Sequence, residues 1–376
     1  MRGMKTLQKN LQILAIVLIV VIIIGVIGSL YYFTPKTLTI KIGFQPSTHQ
    51  VAEFILIKLY YDKIVDEAKK LGYNIKIEDS CYESGPPEMQ EFLAGKLDIA
   101  YVGATPPIPE IWNAIETGGP KALIVAGCNL GGSALILRTG IEYTGPSSLK
   151  GLKIGTFPPG SIQHTILTKW LSKNNLSYST EEGMDVILKY AGAAELISLL
   201  KANKIDGAFL PSPSPEICEI EGIGKIAVTS TDMWRNATGM EYQPCCVLTM
   251  SNKFIEKYRN LAKIFLKYHI LAMKDLIIDA NASSKTGTLT TLLRRVVVER
   301  LSELWGKDEE SIINILEYTF INNPTNLIFS YDPHLIVNGV LEYIEVHYEI
   351  GSIGRMLNVD EVFYLDLYDE VISELE

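Results

Sequence analysis

Residues 92–107, FLAGKLDIAYVGATPP, and residues 200–215, LKANKIDGAFLPSPSP, read as two copies of one unit offset by 108 positions. At that offset Lys96 aligns with Lys204, Asp98 with Asp206, Ala100 with Ala208 and Tyr101 with Phe209. Each copy begins as the end of an amphipathic helix (PEMQEFLAG and AELISLLKAN), with apolar residues at helical spacing. A turn carrying Lys and Asp follows, then a short apolar strand, 99–102 in one copy and 207–210 in the other. Both strands end in small, hydroxyl-bearing or proline residues. The same helix–turn–strand–loop unit used twice predicts two similar α/β lobes. A ligand then belongs where the strand ends of the lobes face each other. Asp98 and Asp206 are read as turn residues ahead of the strands rather than as catalytic groups.

A chain of 376 residues is too long for one ordinary core and suits two domains plus a tail. Hydrophobic residues make up 47% and charged residues 20%, which fits a packed globular protein and not disorder. The formal net charge of −9 argues against nucleic acid as a partner, because neutralising phosphates needs a basic face. Five cysteines stand at 81, 128, 218, 245 and 246 without a CxxC pair, so neither a zinc site nor any other metal site is expected. Cys245 and Cys246 fall in a predicted strand or hinge, where adjacent side chains point to opposite faces. Buried free thiols are the reading for these residues, and a single disulfide such as Cys81–Cys128 stays open.

Taken in order, the chain starts with Arg2, Lys5 and Lys9 ahead of an uncharged apolar run over 11–33. About 20 such residues cross a bilayer as a helix. The run has no persuasive cleavage site, so residues 1–36 are expected to be an uncleaved single-pass anchor in the cell membrane. Everything after Thr34 would then lie outside the cytoplasm. Cleavage near Gly28 or Ser29 is the alternative. Strands are predicted at 37–44, 73–77, 122–128 and 133–137, with helices at 51–71 and 109–117, giving a lobe with a largely parallel sheet. The polar passage 138–146 is the expected crossing into the second lobe. There 152–156 and 184–189 are strands, 161–173 is a helix, and 226–230 closes the lobe. Residues 244–250 read as a returning strand. Lobe one is thus expected over 37–138 and 246–376, with a helical C-terminal region, and lobe two over 139–245. Within the C-terminal region, helices are predicted at 253–279, 289–305, 311–318, 333–348 and 359–375, with a loop at 281–288. Asn175, Asn236 and Asn281 head glycosylation sequons, a weak sign of an external location.

No hydrolase GxSxG motif is present, and the five histidines (49, 164, 269, 334 and 347) have no paired metal spacing. The glycines of GLKIGTFPPGS (151–161) lack both the dinucleotide fingerprint and the Lys-Ser/Thr ending of a phosphate loop. No cofactor is expected. What remains is a set of strand-to-helix loops rich in small polar residues. Gln45, Pro46 and Ser47 follow the first strand; Gly103, Ala104 and Thr105 follow the first repeat strand. Ser161, Gln163 and His164 open the long helix of lobe two, and Pro211 and Ser212 follow the second repeat strand. Helix N-termini offer unpaired N–H groups and a positive dipole end, so converging loops of this kind can hold a small anion or polar molecule. Taken singly, Ser47, Thr105 and Ser161 read first as N-caps, a role compatible with ligand contact, and His164 as a packing or capping residue.

The segments IGFQPSTHQ, LAGKLDIAYVGATPP, GLKIGTFPPGSIQH and LKANKIDGAFLPSPSPEI, in that order, resemble the substrate-binding proteins of nitrate/sulfonate/taurine-type ABC transporters. The resemblance covers about residues 37–275 and implies an α/β, two-lobed periplasmic-binding-protein-like (type II) fold with a hinge. To this the sequence adds an N-terminal transmembrane helix and a helical C-terminal region. Carried over position by position, it implies ligand contacts from the four loops named above. The last loop departs from the pattern, since many members place Trp or an acidic residue before its proline. No arginine falls inside a matched motif. The implied function is ligand delivery, without catalysis, to an ABC permease and ATPase by a monomer closing over its solute. An enzyme of the same fold, of the menaquinone or pyrimidine biosynthesis type, and an anchored ligand sensor are the alternatives.

Overall fold

The computed structural model describes residues 18–21 and 37–376. Apart from an exposed helical turn at 18–21, the expected anchor lies outside the described residues. Among the described residues no helix is long and apolar enough to cross a membrane.

In chain order the strands are β1 Leu38–Phe44, β2 Ile75–Cys81, β3 Ile99–Gly103, β4 Ala122–Gly127, β5 Asn129–Leu130, β6 Ser133–Arg138, β7 Leu152–Thr156, β8 Tyr178–Ser179, β9 Val186–Tyr190, β10 Gly207–Pro211, β11 Gly224–Thr229, β12 Cys246–Ser251 and β13 Ile328–Phe329. They form two main sheets, ordered β2-β1-β3-β12-β4 and β11-β6-β10-β7-β9-β8, and β13 pairs with β5. The first sheet is mixed rather than largely parallel. Its β1 runs parallel to β2 and β3, but the returning strand β12 inserts antiparallel between β3 and β4.

The repeat in the sequence is a repeat in the structure. β3 pairs parallel with β1 through Ile42–Ile99 and Gly43–Ala100, and β10 pairs parallel with β7 through Ile154–Gly207 and Gly155–Ala208. The aligned aspartates do the same work in both lobes. Asp98 accepts the Lys41 backbone N–H at 2.9 Å while its own N–H donates to the Lys41 carbonyl. Asp206 accepts the Lys153 N–H at 3.0 Å while its N–H donates to the Lys153 carbonyl. Each carboxylate thus satisfies a backbone donor of the neighbouring strand and pins where the parallel pair begins.

Several boundaries differ from the expectation. Residues 133–138, expected in lobe one, belong to the second sheet, where β6 runs antiparallel to β10 and β11. The chain leaves the first sheet earlier because Gly131 and Gly132 both take positive φ (62° and 85°), a turn open to glycine. The second predicted strand starts later, at Ile75. The helical run 51–70 holds a π turn at Leu56–Tyr60, and the expected helix over 253–279 is two, Asn252–Lys257 and Arg259–Thr286. The longer one continues through the expected loop at 281–288. Ser283 donates its hydroxyl to the Asp279 carbonyl at 2.9 Å, and the helix stops only at Gly287, with φ of 71°.

Two crossings join the sheets, one at 129–133 and one at 243–246. They run side by side: Cys245 N–H donates to Asn129 O at 3.1 Å and Gly131 N–H to Gln243 O at 3.0 Å. The C-terminal helices clamp them. In helix Val337–Glu349 the Tyr343 hydroxyl donates to the Pro244 carbonyl at 2.6 Å, and the Tyr343 ring packs on Trp234 at 4.8 Å. Gly339 allows that approach, since a Cβ there would lie 2.4 Å from the Pro244 ring. On the first sheet, buried His269 donates from Nε2 to Gly127 O and meets the Tyr101 hydroxyl at Nδ1. Burial pushes its pKa down to about 4, so the ring is neutral.

Two predictions follow from these contacts. Asp98→Ala and Asp206→Ala should each lower stability by about 1–3 kcal/mol, the cost of stranding a strand-edge N–H. Because they sit in different lobes, the losses should add in a urea titration of the double variant. A second prediction concerns Glu53, fully buried with both carboxyl oxygens unpartnered. Burial raises its pKa from 4.5 to about 8. A raised carboxyl pKa stabilises the fold at low pH, and that contribution is lost as pH rises from 4.5 towards 8. Denaturant titrations of wild type and Glu53→Gln should therefore diverge over that window, the variant gaining relative stability as pH rises; parallel profiles would show that Glu53 does not titrate this way.

Candidate functional site

A cleft of about 720 Å³ lies between the two sheets, bordered by the ends of β1, β3, β7 and β10. Of the eleven residues expected there, Gln45, Pro46, Ser47, Gly103, Ser161, Gln163, Pro211 and Ser212 line it. Ala104, Thr105 and His164 do not. Ala104 is fully buried, held by its N–H on the Cys245 carbonyl at 2.7 Å. Thr105 donates its hydroxyl to the Gly160 carbonyl at 3.0 Å, so it ties lobe to lobe. His164 turns away from the cleft onto Tyr190, ring centroids 5.5 Å apart, and burial lowers its pKa to about 4.

The three hydroxyl residues that could have been caps play three parts. Ser161 is a true cap, its oxygen accepting the His164 N–H at 3.2 Å. Ser47 makes no side-chain cap bond and faces the cleft. Thr105 bridges the lobes. Gly103 brings lobe one against the start of helix Ile162–Lys173, where a Cβ would stand 3.1 Å from Ile162 Cγ1. A second bridge runs from the Thr48 hydroxyl to Ser212 Oγ at 3.1 Å, and Ser212 donates onward to Glu216 at 2.7 Å.

The cleft lining carries Glu83, Glu195, Lys201, Glu221 and Lys307 beside neutral glutamines and serines. Gln45 donates its side-chain amide to Glu88 at 2.7 Å, and burial holds the Glu88 pKa well above the usual carboxylate range. Gln163 donates to Ser133 Oγ at 3.2 Å. Among the described residues no arginine lines the cleft. Lys201 is paired with Glu221 at 2.5 Å, and Lys307 stands exposed at the rim. Helices Pro107–Thr117, Ile162–Lys173 and Ala193–Lys201 begin at the cleft, so their positive ends face it. A small anion or dipole can be held there by N–H groups and hydroxyls.

Sequence reasoning missed several lining residues. Gly192–Ala194 starts a helix directly after β9, a local signal that was readable. Phe157 is an apolar wall residue beside the predicted loop. Leu304 and Trp305 come from the distant C-terminal region, where the Trp305 indole N–H donates to the Pro46 carbonyl at 3.1 Å. His49, Cys245 and Cys246 also border the cleft. The two thiols, expected on opposite faces, converge on one nitrogen, His49 Nδ1, at 3.3 and 3.8 Å. Strand alternation does not govern them, because β12 starts only at Cys246 and Cys245 belongs to the crossing. All five cysteines are free, Cys81 exposed and the others buried.

The chain is 30% identical over 86 residues to the bicarbonate transport ATP-binding protein CmpC of Synechocystis. That match takes in 23% of this chain and only 12% of the relative's length. Its fold is similar to that of the periplasmic nitrate-binding protein NrtA from Synechocystis (TM-score 0.67, 16% identity, 91% of this chain and 90% of that one). It is also similar to the alkanesulfonate-binding protein SsuA from Xanthomonas axonopodis pv. citri (TM-score 0.63, 14% identity, 87% and 98%). These likenesses agree with the two-lobed α/β architecture. Residues 34–289, more than half of the sequence, match the model of the NMT1-like family, and the chain belongs to that family.

Proposed function

We propose that this protein is the extracytoplasmic solute-binding component of an ABC importer, taking a small polar or anionic ligand of the sulfonate, nitrate or taurine kind. The observation that carries the reading is the cleft itself, with helix N-termini and neutral donors facing it from both lobes across a two-crossing hinge. A ligand touching Gln45 and Ser47 on one side and Ser161, Gln163 and Ser212 on the other favours the closed arrangement. An importer can recognise that state. Phe157, Ile162, Ile217 and Trp305 give the cleft an apolar wall, and its volume exceeds the needs of a bare four-atom anion such as nitrate. Both features favour a sulfonate with a short alkyl body. The ABC permease and ATPase are the proposed partners of a monomer, with the N-terminal segment as its membrane anchor. No chemical step is required of any residue in the cleft.

Nitrate, taurine and short alkanesulfonates should each be tested by thermal shift and calorimetry with product analysis. A ligand present at about a hundred times its Kd adds roughly 2.7 kcal/mol to stability. One ligand is expected to bind unchanged. Gln163→Ala should weaken it about tenfold, the worth of one hydrogen bond to a charged group. Conversion of the bound compound, or an affinity indifferent to Gln163, would overturn the assignment.

A further inference from the structure

We propose that His49, Cys245 and Cys246 form a binding site for a thiophilic divalent cation, zinc being the ion that fits the donor set. The site goes beyond the solute-binding reading. It shares the cleft with that reading but does not depend on it. The candidate ligand atoms lie within 4.8 Å of one another, and all three residues are buried.

The orientation of the imidazole is the strongest argument. His49 Nε2 lies 2.8 Å from the Gly132 carbonyl oxygen. A carbonyl cannot donate, so the ring proton is on Nε2 and the lone pair of Nδ1 faces the two sulfurs. Metal-bound histidines are commonly held this way, one ring nitrogen donating to a carbonyl and the other free to ligate. The distances agree. Zinc–nitrogen bonds of about 2.0–2.1 Å and zinc–sulfur bonds of about 2.3 Å at tetrahedral angles put nitrogen and sulfur about 3.6 Å apart. The two separations here, 3.3 and 3.8 Å, bracket that value.

The donor set also selects the ion. Two thiolates and an imidazole are soft to borderline ligands and unsuited to calcium or magnesium, which take oxygen. Two thiolate charges are matched by a divalent ion, which avoids leaving net charge in a buried place. Binding releases the two thiol protons to water and involves no redox change. Three protein ligands leave a fourth position, and because all three residues border the cleft it opens there, for water or a solute oxygen.

The test uses the full chain, reduced and freed of metal, titrated with cobalt(II) and then with zinc. A thiolate-to-cobalt charge-transfer band should saturate at a single cobalt per chain and disappear on adding zinc. His49→Ala, Cys245→Ser and Cys246→Ser should each weaken cobalt binding at least tenfold, while Cys218→Ser, a buried cysteine elsewhere, keeps the band. Zinc-edge X-ray absorption of the wild type needs no variant to fold and should show two sulfur neighbours at about 2.3 Å. No charge-transfer band in the reduced wild type, a band that survives in the Cys245→Ser/Cys246→Ser double variant, or zinc ringed only by oxygen and nitrogen would each overturn the proposal. The band reports a cysteine–metal bond whether or not any sulfonate binds, so the two readings fail separately.

Discussion

Each lobe depends on one aspartate that binds backbone. A parallel strand pair has no tight turn to fix its register, because its strands are joined by a long crossover. Here Asp98 and Asp206 take on that task, each exchanging two hydrogen bonds with the strand beside it. Once Asp98 and Asp206 are pinned to Lys41 of β1 and Lys153 of β7, the ends of β3 and β10 follow five residues on from the aspartates, at Gly103 and Pro211. Those ends, with the helix starts beyond them, make the cleft. A slip of one residue would turn every buried strand side chain to the other face and move both loops out of the cleft. The acid therefore contributes to function only through register.

The link between the lobes is built from a different constraint. Two adjacent crossings have little apolar surface of their own, so their alignment comes from hydrogen bonds to each other and from what packs on them. Tyr343 and Gly339 press from one side, and β13 pairs with β5 from the other. The C-terminal helices consequently do more than cover lobe one. Trp305 reaches the cleft, and the Tyr318 hydroxyl donates to Glu219 of lobe two at 2.8 Å. Opening the cleft has to slide or release these contacts as well as Thr48–Ser212 and Thr105–Gly160.

What could be read from the sequence was whatever is local. The repeat exposed the two strands, the Lys-Asp turns and the loops after them, because helix, turn and strand each leave a signature within a few residues. Eight of the eleven expected residues line the cleft for the same reason: a loop after a strand end faces one end of the sheet. The failures are non-local. Whether Thr105 faces solute or the Gly160 carbonyl depends on how lobe two sits. Nothing near Trp305 announces Pro46 as its partner. The departure of β6 for the second sheet was foreshadowed by Gly131-Gly132, but a predicted strand on either side of two glycines reads as a hairpin within one sheet. Spacing rules for metals look for ligands on one short segment, so they do not register the meeting of His49 with Cys245 and Cys246, which are far from it in sequence.

The cleft's electrostatics connect its walls to its floor. Helix ends and hydroxyls supply only partial charges, the paired Lys201 adds little, Glu83 and Glu195 offset the exposed Lys307, and no arginine among the described residues lines the cleft, so a full negative charge on a solute is only partly balanced by the walls. A polar but uncharged or zwitterionic solute loses little by that. An anion needs more. A divalent ion held by two thiolates has no net charge at a distance, yet close to its open coordination position it attracts an anionic oxygen as a Lewis acid. The same cleft therefore has two different chemical preferences according to whether its floor is metallated. The difference would lie in the first oxygen that touches the ion, with the apolar wall still recognising the rest of the solute.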